Sequence, residues 1–360
     1  MNDNNLSRIL DIENEYSTID KSNILQNLLD FPDQLNTVFE EVKKLTIPSN
    51  YIQINKVLFI GVGGSAVGAE MTIGLVKENS HLPIELCRDY QIPNWVDKNT
   101  LVIGSSYSGG TEETVTAFEN SAQKGAKIFG ITSGGKIASI CRKYKAPYYE
   151  INYGSEPRMA LGYSLGAQIA LLKKLKIYDI EDSEIEKSIK TLDKLIEKIS
   201  SGVETNNNFA KQLANNIYGK IPVFVGSSTL SAVAKRAKQQ INENTKSVAL
   251  FEPLPEMNHN FVVGLQFPDN INEKIFIILL QSSYDHPRNK LRYQILQTIF
   301  DQKNIAYESV IIQPTVSRFS ELISVVSYVD FVSYYLSLLY QVDPSLTETI
   351  EYIKEKLAKE

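Results

Sequence analysis

The sequence predicts an α/β fold with two parallel β-sheets, each flanked by helices. Three segments of the first half share one plan, in which an apolar strand leads through a glycine-containing turn into a helix: residues 57–72, 101–114 and 127–140. Successive units of this kind are typical of a parallel sheet whose carboxyl edge collects ligand contacts. The plan returns after Ile221, which predicts a second sheet and an internal duplication.

The first fifty residues predict two helices that Pro32 separates. In each helix, apolar side chains follow the i, i+3, i+4 spacing of a single face. These side chains are Leu25, Leu28 and Leu29 in the first helix, and Leu35, Val38 and Phe39 in the second. Short strands at residues 83–87 and 146–151 complete the first sheet.

The second half contains a charged helical segment at residues 179–208, which favours a connector between two domains. Strands near 274–280 and 307–314 flank a helix, and two terminal helices follow, interrupted at Asp343 and Pro344. The predicted domains are residues 1–155 with the N-terminal helices and first sheet, a helical connector at 156–210, and residues 211–360 with the second sheet and C-terminal helices.

The composition of the 360 residues is that of a globular protein, with 43% hydrophobic and 22% charged residues. A net charge of −5 without a basic run argues against a nucleic-acid partner. The N-terminal residues lack the apolar core of a signal peptide, and the apolar run 275–280 is too short for a bilayer. Two cysteines and three histidines form no metal or disulfide pattern. We therefore expect a cytoplasmic protein without membrane contact, metal or cofactor.

The turn after the second strand has the features of a phosphate site. Ser106, Ser108 and Thr111 add hydroxyl donors, glycines allow a close approach to the backbone, and a helix start follows. The first N–H groups of a helix lack partners and favour an anion. A Walker loop is excluded because no Gly-Lys-Ser/Thr follows. The alternative is an ordinary Ser/Gly-rich loop.

Three further residues are candidates for acid–base chemistry. Arg158 lies just after Pro157, where a helix starts and a cation does not favour the helix dipole. Glu243 lies in a polar stretch near a helix end, and His259 lies between two asparagines in a proline-rich segment. The alternatives are a surface arginine, a solvated glutamate and an exposed loop histidine.

Six motifs in this order resemble the bifunctional phosphoglucose/phosphomannose isomerases, which belong to the sugar isomerase (SIS) and phosphoglucose isomerase superfamily. The resemblance covers nearly the whole chain. Its motifs are GVGGSAVG at 61–68, SYSGGTEET at 106–114, TSGGK at 132–136, PRMALGYSLG at 157–166, INENTK at 241–246 and PEMNHN at 255–260.

The resemblance implies two tandem SIS domains, a homodimer, and metal-independent interconversion of glucose 6-phosphate and mannose 6-phosphate with fructose 6-phosphate. It implies that His259 opens the sugar ring from across the subunit interface. The other implied site residues are Ser106, Ser108 and Thr111 for the phosphate, Gly64 and Ser65 beside the sugar, Arg158 for the enediolate, Glu243 as base, and a C-terminal lysine. That lysine is Lys354, with Lys356 as the alternative.

Aldose–ketose isomerisation fits these residue types. A base must move a proton between C2 and C1, a fixed cation must stabilise the charge on the oxygens, and a proton shuttle must open the ring. The sequence departs from the family at two positions: Gly110 replaces an asparagine, and Phe261 replaces a frequent glutamate. We expect these departures to affect substrate preference more than activity.

Other functions remain open at this point. A related phosphosugar isomerase, or a SIS-type sensor of phosphosugars, would share the hydroxyl-lined turn. A sensor gains nothing from Glu243 or His259, and no basic DNA-binding module precedes the first sheet. A nucleotide-binding protein is disfavoured, because residues 85–89 offer only a generic acid for a ribose.

Overall fold

The first sheet has five parallel strands in the order β2-β1-β3-β4-β5. The structure is a computed structural model that describes residues 7–357 and 359. The strands are β1 (Lys56–Ile60), β2 (Ile84–Cys87), β3 (Thr100–Ser105), β4 (Lys127–Thr132) and β5 (Tyr148–Glu150). Each strand that the glycine-turn pattern predicts is present.

The second sheet has four parallel strands in the order β7-β6-β8-β9. The strands are β6 (Ile221–Ser227), β7 (Leu250–Leu254), β8 (Ile275–Leu280) and β9 (Tyr307–Val310). The strand–turn–helix unit that begins at Ile221 therefore repeats the architecture of the first half, as the sequence predicts.

Among the residues that the structure describes, seven α-helices precede or accompany the first sheet. They are α1 (Tyr16–Ile19), α2 (Ile24–Leu29), α3 (Phe31–Lys44), α4 (Gly64–Val76), α5 (Glu112–Gln123), α6 (Gly135–Lys143) and α7 (Leu161–Lys174). The break between the two predicted N-terminal helices falls at Asp30, and Pro32 lies in the first turn of α3, where its missing N–H has no partner to lose. Arg158 lies in a short 3-10 turn, Pro157–Met159, just before α7.

Seven more α-helices accompany the described part of the second half. They are α8 (Asp182–Ile199), α9 (Phe209–Ile217), α10 (Ser228–Thr245), α11 (Ile271–Lys274), α12 (Pro287–Gln302), α13 (Arg318–Leu339) and α14 (Glu348–Leu357). The interruption near Asp343 that the sequence predicts separates the last two. The segment predicted as a connector holds α7 and α8; α7 packs on α3 and α4, and α8 packs on α13.

The alternation of side chains along each strand divides the molecule into three cores. Val57 and Phe59 of β1 point into a large central core, which Phe224 and Ile278 of the second sheet also enter. Leu58 enters a separate core under α5 and α6. Alternate residues of the second sheet enter a third core under α12. Both faces of each sheet are covered, as parallel strands require.

Helix α13 occupies the middle of the central core. All of its residues from Phe319 to Leu339 are buried. It is the one helix among residues 7–357 that is long and apolar enough to cross a membrane, and its apolar window is entirely enclosed by other elements. It reaches the N-terminal segment, because Tyr334 donates a hydrogen bond to the Asp20 carboxylate at 3.2 Å.

The two halves are joined by the packing of α4 on α10. The Thr229 hydroxyl donates to the carbonyl oxygen of Gly74 at 3.1 Å. A Cβ added to Gly74 would lie 3.2 Å from the Thr229 Cα, so glycine permits the two helix backbones to approach closely. The helix that follows β1 is thereby held against the helix that carries Glu243.

Candidate active site

The predicted phosphate turn lies between β3 and α5. The Ser106 hydroxyl is buried and lies 2.9 Å from the hydroxyl of Thr111, the residue that precedes α5. Ser108 is exposed, and its hydroxyl oxygen accepts from the Gly110 amide at 3.3 Å. The three predicted hydroxyls therefore surround the N-terminal end of one helix, an arrangement that suits an anion.

A neighbouring turn supports the phosphate turn. The Ser133 amide donates to the Tyr107 carbonyl at 2.8 Å, and the Ile137 amide donates to the Gly109 carbonyl at 3.1 Å. Gly109 has a φ of +67°, and a Cβ there would lie 2.0 Å from the Gly134 carbonyl oxygen. The motif at residues 132–136 thus holds the backbone of the phosphate turn in place.

Gly64 and Ser65 begin α4 and lie beside Arg158. A Cβ added to Gly64 would lie 3.8 Å from the Arg158 Cα. These residues line one cleft, here called the Arg158 cleft, at the carboxyl edge of the first sheet. Its lining residues are Gly64, Ser65, Ser105, Tyr107, Ile151, Pro157, Arg158, Ala160, Leu161, Ser164 and Arg236.

The Arg158 guanidinium is held by neutral acceptors on two of its nitrogens. Nε donates to the Asn244 side-chain oxygen at 2.9 Å, and Nη2 donates to the carbonyl oxygens of Pro344 at 2.6 Å and Ser345 at 3.3 Å. The third nitrogen, Nη1, lies 3.7 Å from a Glu243 carboxylate oxygen, beyond hydrogen-bond length. The guanidinium is therefore fixed in place while Nη1 faces Glu243.

Two carboxylates compensate the buried charge of Arg158. The side chain is only 5% exposed, and Nη1 also lies 3.6 Å from a Glu156 oxygen. Burial lowers the pKa of Arg158, whereas Glu243 and Glu156 act in the opposite direction. Glu243 lies near the end of α10 with about a third of its side chain exposed, so it remains accessible beside the cation.

Arg236 is a site residue that the sequence analysis missed. Its side chain is 2% exposed and forms a two-pronged pair with Asp330 of α13, with Nε 2.9 Å from Oδ1 and Nη2 2.7 Å from Oδ2. Nη2 also donates to the Arg158 carbonyl at 3.0 Å. The sequence could have indicated Arg236, because it precedes Glu243 by two helical turns and therefore lies on the same face of the helix.

His259, Lys354 and Lys356 are not among the residues that line the Arg158 cleft. His259 is exposed in the short turn Glu256–His259 after β7. Lys354 and Lys356 are exposed on α14, with Lys356 Nζ 5.3 Å from the centre of the Tyr352 ring. Within residues 7–357, no hydrogen bond or ion pair connects any of the three with Arg158 or Glu243.

Gly110 and Phe261, the two departures from the family motifs, lie where the structure leaves room or solvent around the side chain. A Cβ added to Gly110 would meet only the Ser108 hydroxyl, at 3.9 Å, so a larger side chain has room there. Phe261 is partly exposed and packs at the border of the core under α12. Neither Gly110 nor Phe261 is among the residues that line the Arg158 cleft.

At the carboxyl edge of the second sheet, the hydroxyl and amide donors already bind carboxylates of the same chain. The Ser227 hydroxyl donates to Asp285, and the Ser282 amide donates to the same carboxylate at 3.0 Å. The Ser283 amide donates to Glu321 at 3.0 Å. These donors are already occupied, so the open hydroxyl-lined turn belongs to the first sheet. In the part of the chain that the structure describes, no three His, Cys, Asp or Glu side chains group as metal ligands.

The two parallel sheets flanked by helices define an α/β protein of the SIS class. Residues 206–357 match the family described as "Bacterial phospho-glucose isomerase C-terminal SIS domain". A solved structure of a glucose-6-phosphate isomerase from Chlamydia trachomatis aligns with a TM-score of 0.70 at 13% identity, over 91% of this chain and 72% of that one. The prediction of two tandem SIS domains, each a parallel sheet flanked by helices, is confirmed.

Two relatives identify the family. The chain is 36% identical to the bifunctional phosphoglucose/phosphomannose isomerase of Caldicellulosiruptor bescii, over 93% of this chain and 99% of that protein. It is 34% identical to the protein of the same name from Aquifex aeolicus, over 84% of this chain and 90% of that protein. The chain belongs to the bifunctional phosphoglucose/phosphomannose isomerase family, and the resemblance inferred from the six motifs is confirmed.

Proposed function

We propose that this protein is a cytoplasmic aldose–ketose isomerase that interconverts glucose 6-phosphate and mannose 6-phosphate with fructose 6-phosphate through a cis-enediol. The observation that carries the proposal is the approach of Glu243 to Arg158 Nη1, at 3.7 Å, beside the Arg158 cleft. A candidate base and a fixed cation are thereby placed together, as proton transfer through a charged intermediate requires.

The hydroxyl-lined turn binds the phosphate group in this proposal. Ser106, Ser108 and Thr111 with the first amides of α5 supply donors, and the phosphate is remote from the reacting carbons. Its binding energy therefore orients C1 and C2 without taking part in the reaction. Gly64 and Ser65, which line the Arg158 cleft, lie beside the sugar in this proposal.

Glu243 moves the proton in the isomerisation step. Its carboxylate removes a proton from C1 of fructose 6-phosphate and returns it to C2, while Arg158 Nη1 stabilises the negative charge on the enediolate oxygens. Glucose 6-phosphate and mannose 6-phosphate differ only at C2 and give the same enediol. One base serves both sugars if the intermediate rotates about the C2–C3 bond, and no step calls for a metal ion.

His259 opens the sugar ring from the partner subunit of a homodimer. Its exposure and its lack of contact with Arg158 in the same chain support this assignment. Large exposed apolar side chains follow it, with Val263 66% and Phe267 74% exposed, as expected of a surface that another subunit covers.

A C-terminal lysine completes the site. Lys354 lies one turn after Ile350, whose side chain lines a groove with Glu243, and the two residues share a helix face. Lys354 is therefore our assignment, with Lys356 as the alternative.

The test compares native protein with Glu243→Gln in the conversion of fructose 6-phosphate to both aldoses, with a chelator present. We expect native protein to form glucose 6-phosphate and mannose 6-phosphate. Glu243→Gln should lose both activities by a factor of about 100 or more, since a general base contributes about that much. Binding of the sugar phosphate should remain, because the phosphate turn is unchanged.

Glu156→Gln is the matched control, because Glu156 also faces Arg158 Nη1. It should retain far more turnover than Glu243→Gln. Native protein that binds fructose 6-phosphate and forms neither aldose would contradict the proposal and favour a phosphosugar sensor. An equal loss in both variants would show that compensation of the Arg158 charge, rather than a base, is what Glu243 provides.

A further inference from the structure

Lys246 lies directly after α10 and folds back onto the end of that helix. Its backbone takes a left-handed conformation, with a φ of 57°. Its ammonium donates to the carbonyl oxygens of Glu243 at 3.0 Å and Asn244 at 3.3 Å, and to the carbonyl oxygen of Asp343. An ammonium has three donors, and this set of three carbonyls matches them.

The loop at residues 343–345 connects Lys246 with Arg158. Arg158 Nη2 donates to the next two carbonyls of the loop, those of Pro344 and Ser345. The loop is itself closed, because the Asp343 carboxylate accepts from the Ser345 amide at 2.8 Å and the Ser345 hydroxyl at 2.7 Å. Lys246 and Arg158 thus hold the same short loop from two sides.

We propose that Lys246 is a positioning residue for the isomerase reaction, whose ammonium ties the 343–345 loop to the end of α10. The tie fixes the Arg158 guanidinium relative to the Glu243 carboxylate. Lys246 therefore acts through these two residues and not on the sugar. The inference rests on the proposed function of the Arg158 cleft.

The tie depends on the protonation of the Lys246 amine. Arg158, Asp343, Glu243 of α10 and Glu348 of α14 face the ammonium. Partial burial, and then the charge of Arg158, lower the pKa of Lys246 to about 8, while the three acids oppose the shift. Above this pH the neutral amine has two donors instead of three, and its charge is lost. The isomerase kcat should therefore fall as the pH rises through about 8.

The experiment measures kcat and KM for fructose 6-phosphate between pH 6.5 and about 9.5, since the shifted pKa lies within this range. At pH 7 we expect Lys246→Met to lose between about tenfold and a hundredfold in kcat, as a misplaced catalytic group does, with little change in KM. Lys246→Met should also lack the native decline near pH 8, and Lys246→Arg should restore part of kcat and move the decline to higher pH.

Lys238→Met is the control, because it removes a lysine from α10 about two helical turns before Lys246. It should keep the native kcat and pH profile. A native profile that stays level across pH 8, or a Lys246→Met variant with native kcat and the native decline, would overturn the inference. Both results require an active native enzyme, so they are distinct from failure of the proposed function, in which native protein itself forms no aldose.

Discussion

Single residues in this site act mainly by holding backbone in place. Gly109 is the clearest case, because its positive φ and the nearby Gly134 carbonyl leave no room for a side chain. The contact joins the phosphate turn to the turn after β4. The shape of the phosphate turn is therefore set by a residue that carries no functional group.

We predict that Gly109→Ala weakens both folding and phosphate binding. The left-handed conformation alone costs about 1 kcal/mol or more for alanine, and the clash with Gly134 must move one of the two turns. Urea titration should show a lower free energy of unfolding, and calorimetry should show a higher Kd for fructose 6-phosphate.

Gly125→Ala is a matched control for Gly109→Ala. Gly125 also has a positive φ, of +79°, but a Cβ there would meet no atom within 4 Å. It should lose stability without losing affinity. Equal Kd values for Gly109→Ala and native protein would contradict the assigned role of the contact.

The residue types of the site were predictable from the sequence, but their contacts were not. Ser106 and Thr111 lie five positions apart in one turn, so their proximity follows from local structure. The acceptors of Arg158 on Asn244 and Pro344 lie 86 and 186 positions away. Lys246 was part of a motif that the sequence analysis used, but only the folded loop at 343–345 reveals what its ammonium holds.

At the scale of elements, the ion pair between Asp330 and Arg236 connects α13, in the central core, with Arg158. Asp330 is buried, and burial raises the pKa of its carboxyl while Arg236 opposes the shift. Arg236 in turn holds the Arg158 carbonyl. Although α13 contributes no residue to the lining of the Arg158 cleft, it therefore helps to set the position of the Arg158 guanidinium.

We predict that Asp330→Ala lowers the free energy of unfolding by about 3 to 5 kcal/mol, because it leaves the Arg236 charge buried without a partner. Chemical denaturation measures this change. The double variant Arg236→Met with Asp330→Leu should recover most of the stability but not the native kcat, since the bond to Arg158 stays lost. Native-like stability of Asp330→Ala alone would contradict the role of the pair.

The elements themselves were largely predictable, since apolar strands and glycine turns determine them locally. They include α13, which the sequence predicts as the first of two terminal helices. Its central position was not predictable, because burial on all sides removes the amphipathic pattern that indicates which face of a helix packs on the core. Only its neighbours, α8, α9 and α10, explain why a helix with several serines and tyrosines is enclosed.

At the scale of the whole molecule, two sheets share one core, but the proposed site requires two chains. The exposed His259 and its apolar neighbours lie outside the Arg158 cleft of their own subunit. The motif at residues 255–260 predicted His259 as a site residue, whereas the exposed apolar surface that follows it is apparent only in the folded chain.

We predict that Glu243→Gln and His259→Asn, each inactive alone, restore activity when they are mixed in one dimer. A site with Glu243 from one subunit and His259 from the other is intact in each mixed dimer. Co-expression of the two variants should therefore give roughly a quarter of native activity for random pairing in a two-fold dimer. Sedimentation should show a dimer, and mixed dimers without activity would place His259 in the cleft of its own subunit.

The central position of α13 also has a consequence for synthesis on the ribosome. Tyr334 packs on Tyr16 and donates a hydrogen bond to Asp20, which lies 314 positions earlier in the chain. Phe319 packs on Phe39. Translation proceeds at ~5–20 residues per second, so these partners are synthesised roughly 15 to 60 s after the N-terminal helices. During that interval the nascent chain presents the apolar surface that α13 will cover. We therefore expect this enzyme to complete its fold late, after nearly all of the chain has left the ribosome. Until α13 is synthesised, we expect the nascent chain to depend on chaperones.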